Sequence, residues 1–150
     1  MLVNFKLNGL DVSLEVKPGE YLLDSLRKYG VMSLKKGCDG SSCGVCTVLV
    51  DGHPTLSCSM LTVRVDGHEV TTVEGIQDIA SKIADCFASE GADQCGYCNS
   101  AFALTIHALS KELKNPSDEE IKKYLVGNLC RCTGYQSQLK AVKKYLGGLK

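Results

Sequence analysis

The sequence is organised around one stretch, which reads Gly37-Cys38-Asp39-Gly40-Ser41-Ser42-Cys43-Gly44-Val45-Cys46. Its three cysteines have the spacing C-x4-C-x2-C, and a fourth, Cys58, follows after eleven intervening residues. This is the plant-type spacing of a [2Fe-2S] site, in which four thiolates are directed at two irons. Small residues in such a loop let backbone N–H groups approach the sulfur atoms, and these hydrogen bonds help to set a reduction potential. The stretch therefore predicts a tight loop with three thiolate ligands, the fourth coming from a neighbouring strand.

Two other uses of clustered cysteines are open at this point. C-x2-C is also a zinc spacing, and cysteines pair as disulfides in exported proteins. The sequence begins Met1-Leu2-Val3-Asn4-Phe5-Lys6, which lacks the basic and apolar regions of a signal peptide, so we expect a cytoplasmic, reducing environment. There, cysteine clusters bind metal more often than they form disulfides. An iron–sulfur site is favoured over the zinc and disulfide alternatives.

Composition and charge argue against two classes of partner. The chain has 150 residues, 44% of them hydrophobic and 23% charged, which suits one medium domain or two small ones. Its 17 basic and 17 acidic residues cancel, and no Lys/Arg run exceeds two residues. Neither a nucleic acid nor an anionic membrane is therefore an expected partner. No apolar run approaches the length of a membrane span.

Residues 1–73 have the pattern of a small sheet crossed by one helix. Alternating apolar residues on either side of Asn8-Gly9 predict a hairpin over 2–16. Helical spacing over 20–29, followed by Gly30, predicts a helix. Further strands are predicted at 47–50, 55–58, 61–65 and 69–73. This set of elements is a β-grasp arrangement of the plant-type ferredoxin kind.

From residue 74 onward, helical spacing replaces alternation. A capping box of Ser117 and Glu120 marks the start of one helix. Four helices are predicted in all, over 76–87, over 99–112, from 117 to about 126, and over 137–146. No low-complexity linker separates the two halves, so we expect them to pack together. The predicted fold class is α+β, with a β-grasp domain at 1–73 and a four-helix bundle at 74–150.

A second group of four cysteines lies in the helical half. Cys95 and Cys98 precede the second helix, and Cys130 and Cys132 lie between the third and fourth, giving C-x2-C-x31-C-x-C. A bundle can bring both loops to one end, so that four thiolates converge as a two-iron cluster requires. Zinc would also suit this spacing, but the first motif favours a second cluster. Two clusters in one small chain would serve as successive stepping stones for single electrons.

The remaining cysteine and the histidines are assigned ordinary structural roles. Cys86 falls on the apolar face of the first bundle helix, where a free cysteine packs as a small hydrophobe. The three histidines are scattered along the chain, at His53, His68 and His107. No Ser/His/Asp set, carboxylate pair or phosphate-binding glycine loop is present, so no catalytic residue is predicted.

Both motifs, in this order and on this two-part layout, resemble the small iron–sulfur subunit of the molybdenum hydroxylases, the xanthine dehydrogenase family. The resemblance covers essentially the whole chain. It rests on residues 36–38, 43–48, 51–52, 57–58, 94–98 and 127–136. The last segment, Gly-Asn-Leu-Cys-Arg-Cys-Thr-Gly-Tyr-Gln, is very specific when it accompanies a plant-type loop.

The resemblance implies a role in electron transfer within an oxidoreductase complex. A heterocycle such as xanthine, or an aldehyde, would be hydroxylated on a large molybdopterin-binding subunit, and electrons would pass through two [2Fe-2S] clusters to FAD on a medium subunit. The N-terminal cluster would lie nearer the flavin, and the C-terminal cluster nearer the molybdenum. Gln94 and Cys132 match positions that approach the pterin. The implied iron ligands are Cys38, Cys43, Cys46, Cys58, Cys95, Cys98, Cys130 and Cys132.

Three sites depart from the usual family residues without removing a ligand. Ser41 replaces a glycine, so we expect a reshaped turn. Asn99-Ser100 replaces Thr-Pro, and Asn99 is predicted to cap the second helix. Tyr97 replaces a phenylalanine and adds a hydroxyl that we expect to reach solvent, a partner chain or the cofactor. The competing functions are a zinc-stabilised interaction module and, less favoured, a free two-cluster ferredoxin.

Overall fold

The structure, a computed structural model, describes residues 1–149. The sheet half has five strands and one helix: Leu2–Leu7 (β1), Leu10–Glu15 (β2), Leu22–Tyr29 (α1), Thr47–Val50 (β3), His53–Leu56 (β4) and Glu69–Thr71 (β5). The strands form one mixed sheet with the order β2-β1-β5-β3-β4. Strands β1 and β5 run parallel, and the other neighbouring pairs are antiparallel. A helix packed on a five-stranded mixed sheet confirms the predicted β-grasp arrangement.

Two tight turns join the antiparallel strands that are consecutive in the chain, β1 with β2 and β3 with β4. Asn8 and Gly9, between β1 and β2, have φ values of 53° and 81°. Asp51 and Gly52, between β3 and β4, have φ values of 49° and 84°. Positive φ at both central residues is the requirement of a type I′ turn, whose twist matches that of the paired strands. The predicted hairpin over 2–16 is confirmed.

Helix α1 closes the core of the sheet half. Leu22, Leu23 and Leu26 are almost completely buried and pack with the inward residues of the sheet. Gly30 ends the helix at φ 112°, a left-handed conformation that costs glycine little. The helix is thus held between the sheet and the loop that follows it, which contains the first cysteines.

The prediction of a strand over 61–65 is wrong. Thr62–Val65 forms a short 3-10 helix instead. The Thr62 N–H and hydroxyl both donate to the carbonyl oxygen of Glu20, at 2.9 and 3.0 Å. These bonds to a residue outside the sheet replace the ladder that a strand would have formed.

The strand predicted over 55–58 is shifted by two residues, since β4 begins at His53 and ends at Leu56. The N–H and the hydroxyl of Ser57 both donate to the carbonyl oxygen of Cys46, at 3.3 and 2.6 Å, and the chain turns after this residue. Cys58 therefore lies in the turn after β4 and not on a strand.

The four predicted helices of the second half are confirmed. The Ser117 hydroxyl accepts the Glu120 N–H, and the Glu120 carboxylate accepts the Ser117 N–H, so the capping box is also confirmed. The helices are Gln77–Ser89 (α2), Asn99–Glu112 (α3), Asp118–Leu125 (α4) and Gln136–Gly147 (α5). Among residues 1–149, no helix combines the length and apolar character needed to cross a membrane.

A small apolar cluster joins the two halves. Leu49 of β3 packs with Leu104 and Ala108 of α3 and with Ile76, which precedes α2. All four side chains are buried. The expectation that the halves pack together is confirmed, as is the α+β fold class.

The start of α3 differs from the prediction. Asn99 does not cap the helix; it is the first helical residue, and Cys98 occupies the cap position without a side-chain cap bond. The Asn99 side chain donates instead to the Asp93 carboxylate at 2.9 Å. Its amide therefore holds the loop before the helix, which contains Cys95. Cys86, on α2, is half-buried against the helical core, as predicted.

Replacing Glu20 with glutamine is expected to lower the free energy of unfolding at pH 7 by about 1 kcal/mol. Hydrogen bonds from Lys28 and from the Lys17 N–H lower the pKa of the Glu20 carboxyl to about 2. A carboxyl with a lower pKa in the folded state stabilises the fold above its unfolded pKa, near 4.5, and that contribution is lost as the pH falls from there toward 2. Urea unfolding of both proteins at pH 7 and pH 4 measures the difference. A difference that grew at the lower pH would contradict the prediction.

Candidate metal centres

The first candidate centre lies in the loop between α1 and β3. Cys43 and Cys46 are buried, whereas Cys38 and Cys58 are half-buried. The sulfurs form two adjacent pairs, Cys38 with Cys43 and Cys46 with Cys58. The turn after β4 therefore delivers the fourth sulfur to the loop, as the spacing predicted, although Cys58 itself is not on a strand.

Backbone N–H groups of this loop point at its sulfur atoms. Hydrogen bonds from the N–H groups of Cys43 and Ser42, together with that of Gly40, lower the pKa of the Cys38 thiol to about 6. Burial has the opposite effect on Cys46, and raises the pKa of its thiol to about 11. Backbone donors of the loop thus favour negative charge at the Cys38 sulfur. Such backbone donors are a recurring feature of thiolate sites for iron–sulfur clusters.

Ser41 is the non-glycine residue within 37–46 that has a positive φ. Its φ of 54° is left-handed, a conformation that costs a residue with a side chain roughly 1–2 kcal/mol. Its hydroxyl accepts a hydrogen bond from the Ser59 hydroxyl at 2.7 Å and lies 3.9 Å from the Cys58 sulfur. The serine therefore holds a backbone conformation that glycine would favour, and it ties the loop to the turn that contains Cys58.

The second candidate centre has an exposed side and a buried side. The sulfurs of Cys95 and Cys132 lie 3.5 Å apart, and both residues are exposed. Cys98 and Cys130 are buried and adjacent. Burial, followed by the charge of Cys130, raises the pKa of the Cys98 thiol to about 12. The loops before α3 and before α5 thus bring their four sulfurs together in two pairs, as predicted.

Thr133 and Tyr135 hold the loop around Cys130, and sequence reasoning assigned neither a role. The Thr133 hydroxyl lies 3.1 Å from the Cys130 sulfur, and the Tyr135 hydroxyl accepts the Cys130 N–H at 2.9 Å. Tyr135 has a φ of 71°, a strained value for a tyrosine. The sequence feature that could have identified them is their position directly after the C-x-C pair.

The two centres approach one another through the backbone. The Leu129 N–H donates to the Cys43 carbonyl oxygen at 2.8 Å, and Leu129 directly precedes Cys130. Gly44 packs so closely on Gly127 that an added Cβ would overlap the Gly127 oxygen and lie 2.9 Å from its carbon. One hydrogen bond therefore separates a cysteine residue of the first centre from the neighbour of a cysteine in the second.

Tyr97 crosses the same junction. Its hydroxyl donates to the Lys36 carbonyl oxygen at 2.9 Å, and the Lys35 ammonium lies 4.9 Å from its ring centroid. Nearby, the Ser100 hydroxyl donates to the Ser33 carbonyl oxygen at 3.2 Å. The hydroxyl that distinguishes Tyr97 thus bonds within this chain and fastens the two loops together.

The donor set fits a two-iron cluster at each centre. No three His, Cys, Asp or Glu side chains within residues 1–149 are arranged to bind a single metal ion. The sulfurs come in pairs, and two pairs are what two irons with four thiolates require. Cys86 lies on α2, in neither group, and Gln94 is exposed beside Cys95.

Two family matches together cover most of the chain. Residues 5–72 match the family described as "2Fe-2S iron-sulfur cluster binding domain". Residues 72–143 match the family described as "[2Fe-2S] binding domain". The first match contains the loop centre, and the second contains the centre between the helices.

Similar proteins are iron–sulfur subunits of oxidoreductases. The chain is 43% identical over 136 residues to the nicotinate dehydrogenase small FeS subunit of Eubacterium barkeri, covering 89% of this chain and 87% of that one. It is 40% identical over 134 residues to the xanthine dehydrogenase iron-sulfur-binding subunit of Escherichia coli O157:H7, covering 87% and 84%. A chain of quinoline 2-oxidoreductase from Pseudomonas putida 86 superimposes with a TM-score of 0.89 at 34% identity, covering 99% of this chain and 94% of that one.

Proposed function

Because this chain belongs to the family of small [2Fe-2S] iron–sulfur subunits of the molybdenum hydroxylases, the xanthine dehydrogenase family, we propose which cysteines hold its clusters and between which partners its electrons pass. Its two cluster-binding domains indicate two [2Fe-2S] clusters, and electron transfer within an oxidoreductase complex is the role that fits them. When bound, each cluster accepts and donates single electrons, at a potential that its protein surroundings adjust.

We propose that eight cysteines are the ligands, two for each iron. The pairs are Cys38 with Cys43, Cys46 with Cys58, Cys95 with Cys132, and Cys98 with Cys130. The adjacency of the sulfurs in each pair supports this assignment. On this proposal the chain divides into a ferredoxin-like domain at 1–73 and a helical cluster-binding domain at 74–150.

The hydrogen bond from the Leu129 N–H to the Cys43 carbonyl carries the functional proposal. It joins the backbones of the two proposed ligand loops at 2.8 Å, inside a junction where Gly44 leaves no free space. Electrons would cross from one centre to the other at this contact. A structural zinc module would not need its two sites to meet in this way.

We propose that the exposed side of the second centre faces the molybdenum cofactor. Cys132, Cys95 and Gln94 are all exposed there. Val126 and Leu129, on the chain leading to Cys130, are apolar side chains with exposed fractions of 85% and 49%. Exposed apolar residues beside a centre favour contact with a partner chain. Gln94 and Cys132 would approach the pterin on this face.

The partners in this proposal are a large molybdopterin-binding subunit and a medium FAD-binding subunit, assembled in the cytoplasm. The substrate would be a heterocycle, as in the relatives named nicotinate dehydrogenase and xanthine dehydrogenase, or an aldehyde. The molybdenum centre would be the electron donor to the second cluster, and FAD the acceptor from the first.

Native protein prepared without oxygen is expected to contain about four iron and four acid-labile sulfide per chain. After reduction it should give two distinct EPR signals. Elemental analysis and EPR of one sample check both statements. About two zinc per chain, with no sulfide and no visible colour, would instead identify a zinc-stabilised interaction module.

A further inference from the structure

A buried glutamine lies behind the inner sulfurs of the second centre. Gln138, on α5, has an exposed fraction of only 1%. Its Oε1 is 2.6 Å from the Thr133 hydroxyl oxygen, which is itself 3.1 Å from the Cys130 sulfur. The Gln138 amide, the Thr133 hydroxyl and the Cys130 sulfur are thus linked by two successive short contacts.

The amide nitrogen of Gln138 has no partner of its own. Among residues 1–149, it is the buried side-chain nitrogen or oxygen for which no hydrogen bond is formed. A buried donor left unpaired costs about 1–3 kcal/mol. A glutamine in an otherwise apolar position is therefore unfavourable for the fold unless its N–H groups serve an acceptor in the loaded protein.

The amide of Gln138 changes the number of hydrogen-bond donors available to the Cys130 sulfur. The Thr133 hydroxyl has one proton but two neighbouring acceptors, the Cys130 sulfur and Gln138 Oε1. With the amide oriented so that Thr133 donates to its oxygen, the sulfur loses the threonine proton and the amide N–H groups have no acceptor. If the amide is turned by 180°, its N–H donates to Thr133, and the threonine proton is released for the sulfur. The turned orientation therefore pairs the buried N–H and supplies, from Gln138, the proton that Thr133 lacks.

The surroundings make this hydrogen bonding effective. Gln138 lines a mostly apolar cavity of about 340 Å³, in which Phe102, Ile121 and Leu139 lie beside three polar residues, Lys122, Asn128 and Tyr135. The hydrogen bonds of this buried glutamine therefore form in surroundings of low polarity, which strengthen them.

We propose that Gln138 is a positioning residue that, together with Thr133, directs hydrogen-bond donors at the Cys130 sulfur and raises the reduction potential of the second cluster. An added electron increases the negative charge on the sulfur atoms, so a donor stabilises the reduced form more than the oxidised form. This inference rests on the proposed ligation by Cys130. It assigns to α5 a function in electron transfer that the cysteine motifs do not show.

Gln138→Met is the direct test, because methionine keeps the length of the side chain and removes both N–H donors. Redox titration of the native complex, followed by EPR, should show a lower potential for the second-cluster signal and no change in the first. A tenfold decrease in the equilibrium constant for reduction corresponds to a fall of about 59 mV for one electron. Gln136→Met, an exposed position on the same helix, is the matched control and should leave both potentials unchanged.

Two further variants complete the test. Thr133→Val removes the hydroxyl with little change of shape and should shift the same signal in the same direction. Gln138→Leu replaces the methionine variant if that protein retains less iron than the wild type, and the same fall is expected. An unchanged second potential beside two intact signals would overturn the role of Gln138 while leaving the proposed function standing. An equal shift of both signals would overturn it too, whereas a wild-type complex without two signals would refute the proposed function itself.

Discussion

Gly44→Ala is expected to force apart the two loops that hold the proposed ligands and to lower the free energy of unfolding by about 3 kcal/mol or more. Two costs add at this position. The φ of 69° is left-handed, where alanine is strained. The new Cβ would overlap the carbonyl oxygen of Gly127, a backbone atom that cannot rotate away.

The functional consequence follows from the neighbouring residue. Moving the backbone at Gly44 also moves the Cys43 carbonyl, which accepts the Leu129 N–H at 2.8 Å. Loss of this bond should slow the passage of electrons between the two centres. In the assembled complex, substrate would still reduce the second cluster, but reduction of the first and of the flavin should lag. Stopped-flow absorbance and freeze-quenched EPR measure that delay.

Gly40→Ala is the matched control in the same loop. Its φ is not in the left-handed range, and an added Cβ would meet no atom within 4 Å. The control should unfold at nearly the same urea concentration as the wild type. Equal effects of the two substitutions would show that the junction at Gly127 does not limit stability or electron transfer.

Cys132→Ser is expected to abolish or strongly alter one EPR signal and to prevent substrate from reducing the remaining cluster at its normal rate. Serine keeps the size of the side chain but replaces the thiolate with a poor ligand for iron. Cys132 lies on the exposed side of the second centre, beside Cys95. The first cluster, whose proposed ligands lie in the loop before β3 and at Cys58, should keep its signal and its dithionite reduction.

Cys86→Ala provides the comparison for this variant. Cys86 is half-buried against the helical core and belongs to neither group of four sulfurs. Its replacement should leave iron content and both signals unchanged, at a modest cost in stability. Disappearance of both signals in Cys132→Ser would mean that the two centres do not assemble independently, and the assignment of four ligands to each would be wrong.

Local chemistry accounts for the parts of the fold that could be predicted. Asn8-Gly9 forms its turn because only a few residue types tolerate positive φ, and the capping box at Ser117 needs only contacts three residues apart. The prediction of a strand over 61–65 was wrong for the opposite reason. Its alternating Leu61, Val63 and Val65 resemble a strand, but the bonds from Thr62 to the distant Glu20 carbonyl decide its shape.

Residue type alone was also a poor guide near the starts of α3 and α5. Asn99 has the chemistry of a cap, yet its side chain finds Asp93 instead, and the helix begins one residue earlier than a capping asparagine would allow. Gln138 appears in the sequence as an ordinary polar residue near the start of a helix. Only the packing of α5 shows that it is buried behind Cys130.

The sequence by itself determined the two sets of thiols, their grouping into four and four, and the order of a sheet half before a helical half. Ligand spacing and hydrophobic period are properties of neighbouring residues, so they are visible before folding. Tertiary structure alone decided that Leu129 meets Cys43 and that Gly44 fits against Gly127. These partners lie more than eighty residues apart, and their contact depends on how α3 packs on β3, which no local pattern encodes.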